Sequence, residues 1–403
     1  MLESGEAARR LGVKLPTLYA YVSRGLLPSH RDAHGRRSLF DAEDVEALAR
    51  RARGGRSTEA RLATVTTGTT QLRSDGPAYR GRPATMLARV APYEDVAELL
   101  WQGQRPPGPP WAGLALRPPT ALRDPDRLTW AVLMTGAADR LRSDLRAESV
   151  TGAARRVLAT LVSVLPGRDA EVPPLEMAGR RWEGTLAARL TARLAATSHP
   201  ALVPAVNAAL VLLADHELAS STVAVRVAAS ARADLYDALL AGMGVVAGPL
   251  HGGASQLALA LLRDADRLGA ERALDDTLRW QGRLPGFGHS VYPGTDPRFD
   301  VLAQVIGDLP PSPGRDVLPA VVALAAERAL PGPNIDLALA ALALAGKMPD
   351  DAGRTIFTIA RVAGWTAHYL EELGEAPIRY RARAVYAAPP DRARRDQNVP
   401  LPP

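Results

Sequence analysis

No cysteine occurs anywhere in the 403 residues. That excludes both a disulfide framework and a thiolate metal site. Lysine is almost missing too: Lys14 and Lys347 are the only two, and arginine supplies the rest of the 49 basic residues. In an alanine-rich chain this is the bias of a GC-rich coding sequence, so arginine abundance alone does not argue for nucleic acid. The longest apolar run, ALVPAVNAALVLLA (201–214), is too short and interrupted to span a bilayer. The opening MLESGEAARRLG is charged and has no apolar signal-peptide core. These absences predict a cytoplasmic protein without a membrane segment.

What is present allows a large core, with 47% hydrophobic residues and length for two or three domains. The formal charge is +6, and residues 1–56 hold 11 basic against 7 acidic residues, so most of the excess sits at the N-terminus. There, Ser4 followed by GEAARRL predicts a capped helix that Gly12 stops. Pro16 opens a second, PTLYAYVSR, ended by Gly25. Leu15, Leu18, Tyr19 and Val22 form a stripe expected to pack. Thr17, Ala20, Tyr21 and Arg24 form another, expected to be free. A hairpin-like segment follows, tipped by His34-Gly35 with Arg31, Arg36 and Arg37 around it. Asp41 then opens a third helix, DAEDVEALARRAR.

Two helices joined by a tight turn and followed by a basic wing resemble the winged helix-turn-helix of MerR-like and excisionase-like proteins. The resemblance implies a domain over 1–53 that binds DNA, with Thr17, Tyr21 and Arg24 at the groove and Arg36 and Arg37 on the wing. The plainer reading is a helical appendage used for packing or assembly. Residues 54–60 read as a linker. From 61 onward the pattern is mainly α, broken by Pro-rich loops at 105–119 and 309–314. Apolar stripes at helical spacing cover 153–165, 201–214, 255–263, 317–329 and 335–346, and strand signals are limited to the wing and 63–80.

Four stretches carry chemistry: DHELASST (215–222), GPLHGGA (248–254), PGFGHSVYPGTDPR (285–298) and PNID (333–336). HELAS is not a zinc-binding HExxH, because position 220 is serine, and there is no nucleophile elbow, P-loop or GxGxxG. Histidines, one carboxylate and several arginines without metal-ligand spacing suit a di- or trianionic substrate that reacts by proton transfer. Each residue also has a plainer reading. His251 and His289 could be turn residues and His216 a helix-start histidine. Asp336 could be the N-cap of LALAALALAG, and Arg361 and Arg381 surface arginines. His30, His34, His199 and His368 are taken as structural or solvated.

Taken together, in order and spacing, the four stretches resemble the citrate synthase family over roughly 60–390. The resemblance implies a two-domain helical fold, with a large domain at 61–251 and 342–403 and a small one at 252–341, in a homodimer. It implies condensation of acetyl-CoA with oxaloacetate and water to give citrate and CoA, with the CoA thioester as co-substrate and no metal or other cofactor. His251 would hydrogen-bond the thioester oxygen, Asp336 remove the methyl proton and His289 polarise the ketone. His216, Arg298 and Arg361 would hold oxaloacetate, and Arg381 would complete the neighbouring subunit's site. Two alternatives stand beside this reading. One is 2-methylcitrate synthesis from propionyl-CoA, since one methylene changes discrimination by only about 1–3 kcal/mol. The other is a DNA-binding regulator that senses oxaloacetate, citrate or an acyl-CoA.

The division of labour has a physical basis. A thioester α-proton has a pKa of roughly 20 against about 3.9 for aspartate, so direct transfer is uphill by about 22 kcal/mol. A donor must therefore stabilise the enolate oxygen in a dry site. Gly252 and Gly253 are expected to give the thioester room beside His251. The sequence departs from the family where CoA phosphates are usually met. Pro293 and Ser290 stand at positions often basic, the lysine before PNVD is absent from ALPGPNID, and RPR is RAR at 381–383. These changes thin the phosphate contacts.

Overall fold

The computed structural model describes residues 1–11, 13, 15–23, 27–31, 38–42, 44–45, 65–102, 110–167, 176–177, 180–197, 199–248, 251–380 and 386. They belong to two compact units, Met1–Val65 with residues 379–403, and Thr66–Ile378.

In the first unit, strands Leu2–Glu3, Ser38–Phe40 and His30–Arg31 pair antiparallel in that spatial order, with Leu2 opposite Phe40 and His30 opposite Leu39. The pairing of His30–Arg31 with Ser38–Phe40 is the expected wing hairpin; its tip lies outside the described residues. Helices Ser4–Leu11 and Leu15–Ser23 bury Ala7, Ala8 and Leu18 against Leu27, Phe40 and Val45. Ser4 does not cap from outside. It is the first helical residue, and its hydroxyl donates to the Ser38 carbonyl at 3.4 Å.

The two predicted stripes need correction. Tyr21 is half-buried and packs on this core, whereas Leu15 and Tyr19 are 46% and 49% exposed. Leu18 and Val22 of the first stripe pack as expected, while Tyr19 stays at the rim, its hydroxyl donating to Ser4 Oγ at 3.2 Å. Thr17 is exposed as expected. Arg24, Arg36 and Arg37 lie outside the described residues, as do the 54–60 linker and most of the third helix; the Val45 amide donates to the Asp41 carbonyl at that helix's first turn.

The second unit begins with a small antiparallel sheet, Thr70–Arg73, Gly76–Tyr79 and Arg82–Pro83. Fourteen helices follow among the described residues. The five apolar stripes correspond to helices Ala147–Ser163, Leu202–Leu213, Ala254–Leu268, Pro313–Glu327 and Ile335–Ala345. Helix Leu202–Leu213 is apolar all round because it is surrounded. Helices Ala84–Val90, Leu186–Leu194, Pro297–Gly307 and Ala352–Leu373 pack on it. Its carbonyl end needs partners, and Tyr79 supplies one, its hydroxyl lying 3.0 Å from the Val211 carbonyl and 3.1 Å from that of Asp215. The sheet thus fixes the point at which the chain turns into DHELASST. Among the described residues no helix is long and apolar enough to cross a membrane.

Candidate active site

His216 follows that buried helix, on a turn in which Glu217 takes a left-handed φ of 55°. The Asp215 carboxylate holds the turn by accepting from the Glu217 amide at 3.0 Å. His251 lies in the turn between helices Leu235–Val246 and Ala254–Leu268, and its amide donates to the Gly248 carbonyl at 3.1 Å. The glycines behind it act differently from the expectation. Neither has a positive φ, and a Cβ on Gly252 would lie 2.2 Å from the Val246 carbonyl oxygen. Gly252 is required by close backbone packing within the turn.

His289 and Asp336 are 47 positions apart and are brought together by backbone pairing. The Gly288 amide donates to the Gly332 carbonyl at 2.7 Å and the Asn334 amide to the Gly286 carbonyl at 2.9 Å. Asn334 Nδ2 adds a bond to the Gly288 carbonyl at 2.7 Å. Gly286 and Gly288 have φ of 80° and 77°, and a Cβ on Gly286 would meet Leu337 at 2.8 Å, so glycine is needed at the first for both reasons. Asn334 is the N-cap of helix Ile335–Ala345, its side chain accepting from the Asp336 amide at 3.0 Å. The capping role considered for Asp336 therefore belongs to Asn334, and the Asp336 carboxylate is left for other work.

His216, His251 and His289 line one cleft of about 740 Å³, together with Leu72, Val245 and Val291. The rings of His216 and His289 stand edge to face at 5.3 Å. Arg298 is buried behind His289. It pairs with Asp296 through Nε and Nη2, the latter at 2.8 Å, and its Nη2 is 3.2 Å from His289 Nε2. Arg361 is buried as well, donating from Nε to the Leu213 carbonyl at 2.9 Å, with its guanidinium 4.6 Å from the centre of the Phe357 ring. Phe357 in turn meets His251 edge to face at 5.5 Å. Arg298, Arg361 and Asp336 stand behind the cleft, not on its lining. Arg381 lies outside the described residues.

The electrostatics follow from this placement. Burial, then the two arginines, hold His216 well below the ordinary imidazole value. Burial and Arg361 lower His251; burial and Arg298 lower His289. All three rings are neutral at pH 7. His289 Nδ1 faces the backbone amides of Val291 and Tyr292 at 3.0 and 3.3 Å, two donors against one at Nε2, which favours the tautomer with its proton on Nε2. Arg298, which can only donate, faces that same nitrogen, an arrangement an incoming oxygen would relieve. Loss of solvation pushes the Asp336 carboxyl up to about 6 against the pull of Arg298. His216 Nε2 and Arg361 Nη1 are buried without hydrogen-bond partners. Each such group costs about 1–3 kcal/mol, which a bound carboxylate would recover.

Four contributors were not singled out in the sequence. Ser221 Oγ lies 2.9 Å from His251 Nε2. Asp296 and Asn334 sit inside the recognised DPR and PNID stretches, where they steady Arg298 and the Asp336 turn. Phe357 had no local signal beyond its place one helical turn before Arg361.

The family model "Citrate synthase, C-terminal domain" matches residues 118–383, and "Helix-turn-helix domain" matches residues 1–53. The citrate synthase of Corynebacterium glutamicum is 34% identical over 46% of this chain and 46% of its own length. That of Haloferax volcanii is 29% identical over 78% of this chain and 90% of its own. The chain thus spans about half the length of several curated relatives it matches. Among solved structures, citrate synthase from Thermoplasma acidophilum, in a ternary complex with carboxymethyl coenzyme A and oxaloacetate, has a TM-score of 0.63 at 20% identity, covering 86% of this chain and 98% of that one. The Thermotoga maritima enzyme gives 0.62 at 22%, again covering 86% and 98%. These structures share its fold.

Proposed function

Because the chain belongs to the citrate synthase family, we propose that it condenses acetyl-CoA with oxaloacetate and water to give citrate and CoA. One observation carries this reading: three neutral histidines line a single cleft in front of two buried arginines and a half-buried carboxyl whose pKa is about 6. Arg361 and His216 meet the oxaloacetate carboxylates, satisfying their unpaired N–H groups. His289 donates from Nε2 to the ketone oxygen and draws electrons from the carbon to be attacked. Asp336 takes the methyl proton of acetyl-CoA while His251, steadied by Ser221, donates to the enolate oxygen. The enolate carbon then attacks the ketone, and water releases CoA from the thioester formed.

Raising Asp336 from 3.8 to about 6 brings it about 3 kcal/mol closer to the methyl proton, at about 1.36 kcal/mol per unit. The remaining gap, close to 19 kcal/mol, falls to oxyanion stabilisation and to concerted attack. Asp336 stands behind the cleft, so the reading includes closure of a small domain, 252–341, over oxaloacetate. Acetyl-CoA would then bind more tightly with oxaloacetate present; equal affinity would count against closure. Homodimer formation, with Arg381 entering the partner's site, belongs to the same reading, and the exposed Leu133, Met134 and Val227 are apolar side chains that a second subunit could cover.

A second reading, a DNA-bound sensor, draws on the helix-turn-helix match and on Pro293 and Ser290. The deciding assay is CoA-thiol release with oxaloacetate and acetyl- or propionyl-CoA, using Asp336→Asn as control. Turnover lost in the variant supports the synthase, and the acyl preference settles the product. Oxaloacetate binding without release favours the sensor. DNA titration at two salt concentrations tests the N-terminal unit.

A further inference from the structure

We propose that His368 is a positioning residue for His216, acting through Asp215; this rests on the oxaloacetate-binding role given to His216 above. His368 and Asp215 are fully buried. His368 lies on helix Ala352–Leu373, far along the chain from the turn it serves. Its Nδ1 is 2.8 Å from Arg226 Nη1. A guanidinium can only donate, so Nδ1 accepts and the ring proton sits on Nε2. Nε2 is 3.3 Å from Asp215 Oδ2 and donates to it.

The result is a one-way chain, Arg226 to His368 to Asp215. Its start is anchored: Arg226 donates from Nε to Glu372 at 2.9 Å and from Nη1 to Glu371 at 3.0 Å. Its end is the same Oδ2 that accepts the Glu217 amide. That bond holds a non-glycine residue in the left-handed region, a conformation that persists only where the surroundings over-determine it. His216 sits between the two bonded residues, so the direction of its ring depends on this clamp. His216 Nε2 is buried without a partner, and the ring itself meets only the edges and faces of His289 and Tyr292, at 5.3 and 6.0 Å among the described residues. A close approach completes the clamp: a Cβ on Gly364 of the His368 helix would lie 2.2 Å from Asp215 Oδ1.

The test compares His368→Leu, His368→Gln and Asp215→Asn with wild type by steady-state kinetics, calorimetric oxaloacetate binding and thermal unfolding. Leucine removes both hydrogen bonds. The expected result is a rise of tenfold or more in KM and Kd for oxaloacetate, with kcat falling less than threefold and KM for acetyl-CoA at saturating oxaloacetate little changed. Glutamine can accept from Arg226 and donate to Asp215, and should bring both constants back to within about threefold of wild type. A folded leucine variant with unchanged oxaloacetate affinity overturns the proposal, and so does a uniform loss of activity that merely follows lost stability. If the leucine variant does not fold, Asp215→Asn decides: weakened oxaloacetate binding supports the clamp and unchanged binding overturns it. Wild type that binds oxaloacetate without releasing CoA refutes the proposed activity alone, and the binding comparison still decides this inference. Wild type that binds none overturns both.

Discussion

Asp336→Asn should abolish turnover and stabilise the protein at once. The side chain is half-buried near the start of helix Ile335–Ala345, without a hydrogen bond from any described residue to its carboxylate, and loss of solvation raises its pKa from 3.8 to about 6. A carboxyl raised on folding favours the protonated native state, so its charge costs stability once pH passes the unfolded value. At neutral pH the two-unit shift corresponds to about 3 kcal/mol. A negative charge in a helix's first turn returns up to about 1 kcal/mol that asparagine forgoes, leaving a gain of about 2 kcal/mol. For a unit of this size that is a rise of roughly 3 °C in Tm. The cost develops between about pH 4 and 6, so the gain should shrink by about half at pH 5. Differential scanning calorimetry of both proteins at pH 5 and 7.5, beside thiol-release assays, measures all of this. Loss of a general base should cost at least about 100-fold in kcat. A variant equally stable or less stable at pH 7.5 would refute the assignment of Asp336 as a desolvated, unpaired carboxylate.

Other expectations follow from the same geometry. The kcat profile should rise with pH through about 6 and then level, because Asp336 works deprotonated and burial shifts the histidines towards their neutral forms; a plateau extending below pH 5 would contradict it. Ser221→Ala should reduce kcat about tenfold while KM for oxaloacetate barely moves, since the lost bond orients His251 alone; a change confined to oxaloacetate affinity would place Ser221 elsewhere. Gly252→Ala should destabilise by about 2 kcal/mol or more, measured by urea unfolding, because the added methyl carbon meets the Val246 carbonyl. Arg298→Lys should weaken oxaloacetate binding at least tenfold by calorimetry, since an ammonium cannot keep the paired contact with Asp296 and also face His289.

Much of the molecule was legible because its signals are local. Helical periodicity located the five apolar helices, since one buried face repeats every 3.6 residues whatever it packs against. His216, His251, His289 and Asp336 stood out because turn residues and short motifs flank them, and the wing hairpin was visible in its glycine and arginines. What failed depended on contacts that residue type and periodicity do not specify. Tyr21 and Tyr19 exchanged roles because Tyr21 packs on the core beside Leu18 and Val22, whereas Ser4 holds the Tyr19 hydroxyl at the rim. Gly252 proved necessary for a backbone contact that no local pattern encodes. Asn334 took the cap, which composition could not distinguish from Asp336 two residues later in the same motif.

The sequence by itself determined the helices, the turns between them and the inventory of histidines, arginines and carboxylates, because those rest on periodicity and residue chemistry. Only the tertiary structure decided which of them act together. Protonation of Asp336 and the three histidines depends on burial, the tautomers of His289 and His368 on which donors face them, and the aim of His216 on a buried chain from Arg226. Each is a property of groups separated in sequence and joined by folding.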